Sequence, residues 1–352
     1  MRRDAIALVR AAARGIAAAL ALALAFAAAA PAALAAPLRV VATVPDLGNL
    51  TEIVGGDEVE VTTLVKGPQD PHFLEPRPSF VQALHRADVF VVVGMDLEVG
   101  WVPPLLRTAR NPAIQPGAPG YVDASTAVAP LDAPAAPVTR AMGDVHPYGN
   151  PHYLTDPVNG LRVAALLRER LSALRPAAAP GFAARYARFA AALAARLVGP
   201  EAAGGRDPDA LVRAVEEGRL DEALGGAAPG GWIGALRLAA GRPVVEDHKV
   251  WAYFARRFGL QIVQTLEPRP GIAPTTSHLE EVVAAVRERA VPLVLASTYF
   301  DPRHARWVAE RTGARVVTLA HQVGAREGAD DYLATVDRNV RAVAEALASD
   351  GR

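Results

Sequence analysis

The sequence predicts an α/β protein of two similar αβ lobes with parallel-type sheets, joined by a helix. Three observations predict it. Short apolar or β-branched runs alternate with stretches of helical periodicity, first between residues 38 and 93 and again from Arg242 onward, the pattern of strand–helix–strand units around a parallel sheet. Two of the runs, Val89–Val93 and Val291–Ala296, are apolar without alternation, as strands covered on both faces are. Between the halves lies Phe182–Leu197, a long Ala-rich helical pattern set off by the Pro/Ala break at Pro176–Pro180; it is the expected connector.

Taken in order, Leu38–Val44 is β-rich and stops at Pro45, Leu47–Val54 opens a helix, and Val59–Val65 alternates like a strand. A loop over Lys66–Pro78 follows, with Ser79 as the expected N-cap of a helix through Ala87. Pro116–Ala141 is rich in Pro and Ala, lacks periodicity, and is expected to be a surface loop. Asp156-Pro157 opens a helix with Val163, Leu166, Leu167, Leu171 and Leu174 on one face. Beyond the connector, loops at Gly199–Asp209 and Gly225–Gly231 flank a polar helix over Ala210–Leu224. Then come a strand at Pro243–Glu246, a helix at Val250–Phe258 capped by Gly259, a strand at Leu260–Leu266, and a helix at His278–Glu288. Val291–Ala296 is a strand, Pro302–Thr312 a helix, Ala314–Leu319 a strand and Asp331–Ala348 the closing helix. The expected divisions are an export signal over 1–36, an N-terminal lobe over 37–176, the connector over 177–200 and a C-terminal lobe over 201–352. No internal repeat of solenoid period is present.

The signal is read from a positive start at Arg2, Arg3 and Arg10, an Ala/Leu run from Ile16 to Ala30, and small residues at Ala33-Leu34-Ala35. The run is too short and Ala-rich for a membrane span of roughly 20 residues, so cleavage near Ala35/Ala36 and a periplasmic location are expected. Cysteine is absent, which excludes disulfides, thiolate metal sites and thiol nucleophiles, and with them the lipid-bearing Cys of a lipoprotein. About 315 residues remain after the signal, enough for roughly two domains. Basic and acidic side chains balance at 37 each, and no basic stripe occurs, which argues against a nucleic-acid partner.

Four histidines stand in separate signatures: His72 in DPHFLEP, His152 in GNPHYLTDP, His248 in EDHKVWAYFARRFGL and His321 in LAHQVG, spaced by 80, 96 and 73 residues. No local zinc finger or HExxH motif can be made from them. His72, His248 and His321 each follow an expected strand, where open parallel sheets collect ligands; His152 precedes a helix. Four neutral imidazoles at about 2.0–2.1 Å would make a closed tetrahedral Zn²⁺ site. Pro71 and Pro151 restrict the backbone before two of them. Asp70, Asp156, Glu246 and Asp247 are nearby in sequence and suited to accept from a second ring nitrogen. His85, His278 and His304 sit on helical patterns and are read as structural. His146, six residues before His152, is an accessory candidate.

These motifs, in this order, resemble the zinc and manganese periplasmic solute-binding proteins of ABC importers, the zinc-uptake-like family. DPHFLEPRPS resembles the first ligand loop, GNPHYLTDP the second and HKVWAYFARRFGL the third, and EPRPGIAPTTSHLEEVV, STYFDP and ADDYLATVDRNV are further matches. The likeness runs from about Arg39 to Ala346. It implies two αβ lobes joined by a long rigid helix, with metal in the interlobe cleft, held by His72, His152 and His248. Where the family often carries Asp three residues before a Gly, this chain has His321 before Gly324, so His321 as fourth ligand is a departure from the pattern.

The expected function is therefore capture of Zn²⁺ and its delivery to a membrane permease, by a monomer that is not an enzyme, with a periplasmic metallochaperone as a further partner class. Nitrogen ligation favours Zn²⁺ over the oxygen-preferring Mn²⁺, which stays the alternative cargo. The histidine-bearing metal-capture loop common among the family's zinc importers is reduced here to Asp144 and His146. A competing reading is a zinc hydrolase with three histidine ligands, an open water position, and Glu75 or Asp247 as base. Another is a surface adhesin.

Overall fold

Two four-stranded sheets, parallel throughout, organise the chain. A computed structural model describes residues 36–135, 145–269 and 271–349; the expected export signal, Asp144 and the end of the Pro/Ala stretch lie outside them. Contacts divide the chain into Met1–Ala36 and Pro37–Arg352, and everything below concerns the second unit.

The first sheet holds β1 (Leu38–Ala42), β2 (Val59–Thr63), β3 (Val89–Val92) and β4 (Tyr121–Asp123) in the order β2-β1-β3-β4. The second holds β5 (Pro243–Glu246), β6 (Gln261–Thr265), β7 (Leu293–Ser297) and β8 (Arg315–Leu319) in the order β6-β5-β7-β8. The two lobes thus share one topology. In each, the first strand lies inside, the chain adds a neighbour on one side and then crosses to the other. That reversal opens a crevice at the carboxyl ends of the strands, where ligands bind in sheets of this kind.

Helices cover the sheets: α1 (Pro45–Gly55), α2 (Pro78–Arg86), α3 (Val102–Ala109), α4 (Pro157–Leu174), α5 (Ala179–Val198), α6 (Ala252–Phe258), α7 (Thr276–Glu288), α8 (Arg303–Thr312) and α9 (Tyr332–Ala348). The long α5 buries Phe182, Tyr186, Phe189, Ala190, Leu193, Ala194 and Leu197, a stripe at three- and four-residue steps, against α1 and α4. One continuous core runs through both lobes. The outer face of the second sheet has its own cluster, where Val245 and Val294 meet Leu279, Val282 and Val308. Val244, Leu293 and Leu295 point the other way, into the main core, as the two-residue period of a strand requires.

The capping chemistry is local. Asp156 accepts from Val158 N at 2.9 Å ahead of α4. Asp331 accepts from Ala334 N at 2.8 Å ahead of α9, and Gly259 ends α6 at φ 77°. Three expectations are corrected. Ser79 is not the cap of α2, which begins at Pro78 with Arg77 before it and no side-chain cap; a proline at the first position lacks only an N–H that would be unsatisfied anyway. The helix expected over Ala210–Leu224 is two pieces, Pro208–Glu216 and Leu220–Ala223, parted by Gly218 at φ 68°. The Pro/Ala stretch contains β4, three residues registered on β3 through Phe90 and Tyr121. No helix among the described residues is long and apolar enough to cross a membrane.

Candidate metal centre

The strand ends bring three histidines together. His72 lies on the loop after β2, His248 two residues past β5, and His152 on the 3-10 turn before α4. One ring nitrogen from each lies within 4.8 Å of the others. Ring centroids are 5.1 Å apart for His72–His152, 5.5 Å for His72–His248 and 5.7 Å for His152–His248. Nitrogens sharing one tetrahedral Zn²⁺ at about 2.0–2.1 Å stand roughly 3.4 Å apart, so a modest contraction would seat an ion.

The tautomers suit it. His72 donates through Nδ1 to Asp70 Oδ1 at 2.7 Å, and His248 through Nδ1 to Glu267 Oε2 at 2.6 Å. A carboxylate on Nδ1 leaves the Nε2 lone pair for a cation and raises its basicity. The Nε2 atoms of His72 and His152 are buried without a hydrogen-bond partner, an arrangement that costs free energy unless something polar arrives. Burial, then repulsion from His72 and His248, pushes His152 well below the ordinary histidine range and keeps it neutral. Burial works against ionisation of Asp70, but hydrogen bonds from the His72 ring and backbone outweigh it and hold its carboxyl below the usual range.

The supporting groups are specific. Asp70 Oδ1 also accepts from the His72 backbone N–H at 2.9 Å, and Trp101 Nε1 donates to Pro71 O at 3.0 Å. Asn150 Oδ1 accepts from His152 N at 3.0 Å, while Asn150 Nδ2 donates to Lys249 O at 2.8 Å, tying the second histidine loop to the third. Tyr253 OH donates to Asn150 O at 2.9 Å. Asp247 accepts from His248 N at 2.8 Å and from Ser297, and Phe300 packs 5.1 Å from the His248 ring.

Of Asp70, Asp156, Glu246 and Asp247, the carboxylates singled out in the sequence, Asp70 meets a ring. Asp156 is committed to Arg257 and to capping α4, Glu246 to Trp251 N, and Asp247 to backbone and Ser297. Sequence reasoning missed Glu267. It stands 19 residues past His248, but Glu267 N donates to Asp247 O at 3.1 Å. The parallel ladder of β5 and β6 therefore sets the two side by side.

His321 lies outside the group of three. Its Nδ1 meets Thr298 Oγ1 at 2.9 Å and its Nε2 meets Gln69 O at 3.2 Å; Tyr299 packs against it at 4.6 Å, and burial pushes it down to about 4. His146 stacks on His72 with centroids 5.4 Å apart. Its Nε2 is buried and unpartnered, and burial followed by repulsion from His72 and His248 pushes it down to about 3. His85 and His278 bond backbone carbonyls of Ala109 and Thr265, as structural residues do. Of the two bases considered for hydrolysis, Glu75 is exposed and Asp247 is engaged by the His248 N–H and by Ser297.

A family model, ZnuA, zinc-uptake complex component A periplasmic, matches residues 40–196 and 234–346. The zinc-binding lipoprotein AdcA of Streptococcus pneumoniae is 22% identical over 326 residues, which is 89% of this chain but 56% of AdcA; the chain thus spans about half the length of that relative. The high-affinity zinc uptake system protein ZnuA of Paracoccus denitrificans is 25% identical over 346 residues, covering 89% of this chain and 92% of that protein. A crystal structure of ZnuA superposes with a TM-score of 0.63 at 23% identity, over 89% of this chain and 98% of that one. FpvC from Pseudomonas aeruginosa in complex with Mn²⁺ does so at 0.63 and 19% identity, over 90% of this chain and 100% of that one. These superpositions speak to a shared fold.

Proposed function

The chain belongs to the periplasmic zinc-uptake component A family, and from that premise we propose that it captures Zn²⁺ in the periplasm and delivers it to the membrane permease of an ABC importer. Members of the family are substrate-binding proteins of ABC transporters, not enzymes. The observation that carries the zinc reading is the trio His72, His152 and His248, three imidazole donors within 4.8 Å of one another. An all-nitrogen set favours Zn²⁺ over Mn²⁺. The export signal expected over residues 1–36 fits the location.

His321 completes the set in this reading, exchanging its long contact to Gln69 O for the ion. The unpartnered buried Nε2 of His146 supports a second reading in which His146 is the fourth donor. Metal content and zinc affinity of wild type, His321→Ala and His146→Ala decide between them. With His321 as ligand, His321→Ala weakens zinc by about tenfold or more and His146→Ala by much less; the reverse ranking names His146. Absence of bound zinc in the wild type would overturn the proposal.

Zinc affinity is expected to fall between about pH 7.5 and 5, because protons and metal compete for the same lone pairs. His152 and His321 are held below the ordinary range by burial. They carry no proton to be displaced near neutrality and add no slope there. A flat response across this window in a competition titration would remove histidine ligation.

A further inference from the structure

The turn that carries His321 grips the turn that leads to His72. Gln322 is buried, and its Nε2 donates toward three backbone carbonyls across the cleft: Lys66 O at 3.2 Å, Gly67 O at 3.0 Å and Gln69 O at 3.1 Å. Two amide hydrogens facing three acceptors hold a strip of backbone rather than one residue. Gly67 and Gly324 meet backbone to backbone, so that a Cβ on Gly67 would lie 2.1 Å from the Gly324 carbonyl carbon and 2.2 Å from its oxygen. These contacts join residues 66–69 to residues 322–324, more than 250 positions apart along the chain for the Gln322 bonds.

The strip they hold runs straight into the metal site. Asp70, which orients the His72 ring, follows Gln69 directly, and Trp101 fixes Pro71 O from the other side. The third member, His248, belongs to the second lobe. Any motion that draws His72 away from His248 by parting the lobes on this side must break the Gln322 bonds and separate the two glycines.

We propose that Gln322 is a positioning residue, the centre of an interlobe latch that holds the His72 loop against the second lobe and slows metal release. It is outside the histidine trio and acts on the ion through the position of that loop. The proposal rests on the zinc-capture reading above. It gives Gly67 and Gly324 a shared reason: their missing side chains let two turns close on each other.

The test uses the full chain as Gln322→Met, which keeps the length and removes the donor, and Gly67→Ala, which wedges the turns apart. Zinc release to a competing chelator is followed by stopped flow, and backbone hydrogen exchange is followed in the metal-free protein. The expected result is release about fivefold faster or more in both variants, the scale of a lost buried hydrogen bond, with association within about twofold. Exchange should speed at Lys66, Gln69 and His72 and stay unchanged in the core strands. Unchanged release in Gln322→Met, or a matched change in both rate constants with faster exchange throughout, would overturn the latch. If the wild type bound no zinc, the zinc reading would fall on its own. Exchange at 66–72 in metal-free Gln322→Met would still decide the latch, unchanged protection overturning it.

Discussion

Substituting His248 by Ala is expected to lower zinc affinity by about a hundredfold or more. Apparent binding free energies of closed zinc sites run to about 10–16 kcal/mol; shared over four ligands, that is roughly 3 kcal/mol each, or about two powers of ten in affinity. The loss at His248 is aggravated by what stays behind. Glu267, only 10% exposed in its side chain, would face the cavity with Gly271 N at 2.9 Å as its remaining donor, and Phe300 would lose the ring it packs on. Glu267→Gln separates the two roles. It leaves the imidazole in place with a neutral acceptor on Nδ1, and its cost should be the smaller tenfold to hundredfold range of an outer partner. Competition titration against a chromogenic chelator measures both. A loss below about threefold for His248→Ala would take this residue out of the coordination sphere.

The contrast between His248 and Glu267 marks what can be read along a chain. His72, His152 and His248 are legible because each sits in a distinctive local context at a strand end or helix start. The α/β alternation tells which ends of the strands they share. Glu267 is invisible to the same reasoning. Its neighbour is set by strand pairing, and the pairing of β5 with β6 even shifts register between Val244 and Val245, which no count along the sequence supplies. Asp156 errs in the opposite direction. Four residues from His152, it was a natural candidate to orient a ring, yet its carboxylate is taken by Arg257, 101 residues away. The strand β4 was hidden because three residues cannot display a period; it exists through its ladder with β3. Of the two caps read in the sequence, Gly259 ends α6 as expected, whereas Ser79 gives way to a proline that begins α2 without a side-chain hydrogen bond. Local chemistry is written locally, and partnerships made by topology are not.

The largest effect on stability is expected at one of those partnerships. Arg257 on α6 makes a two-pronged bond to Asp156, Nε to Oδ1 and a terminal nitrogen to Oδ2, both at 2.8 Å. The side chains are 13% and 7% exposed. Burial opposes the guanidinium charge, but the Asp156 carboxylate outweighs it and holds Arg257 above its ordinary range. Arg257→Ala leaves Asp156 charged, buried and short of a counterion, and removing one partner of such a pair costs about 3–5 kcal/mol. Arg257→Lys should recover little, because a single ammonium cannot reproduce the planar fork. The double variant Arg257→Met/Asp156→Leu removes the stranded charge along with its partner. It should be more stable than Arg257→Ala even though it gives up the cap on α4, worth about 1 kcal/mol. Urea unfolding of the metal-free protein gives all three values. A cost under about 1 kcal/mol for Arg257→Ala would equate this pair with an exposed one. The pair also reaches the metal: it ties the start of α4, four residues beyond His152, to the helix that follows His248. The same substitution should therefore speed zinc release, with His152 freed to move away from the other two donors.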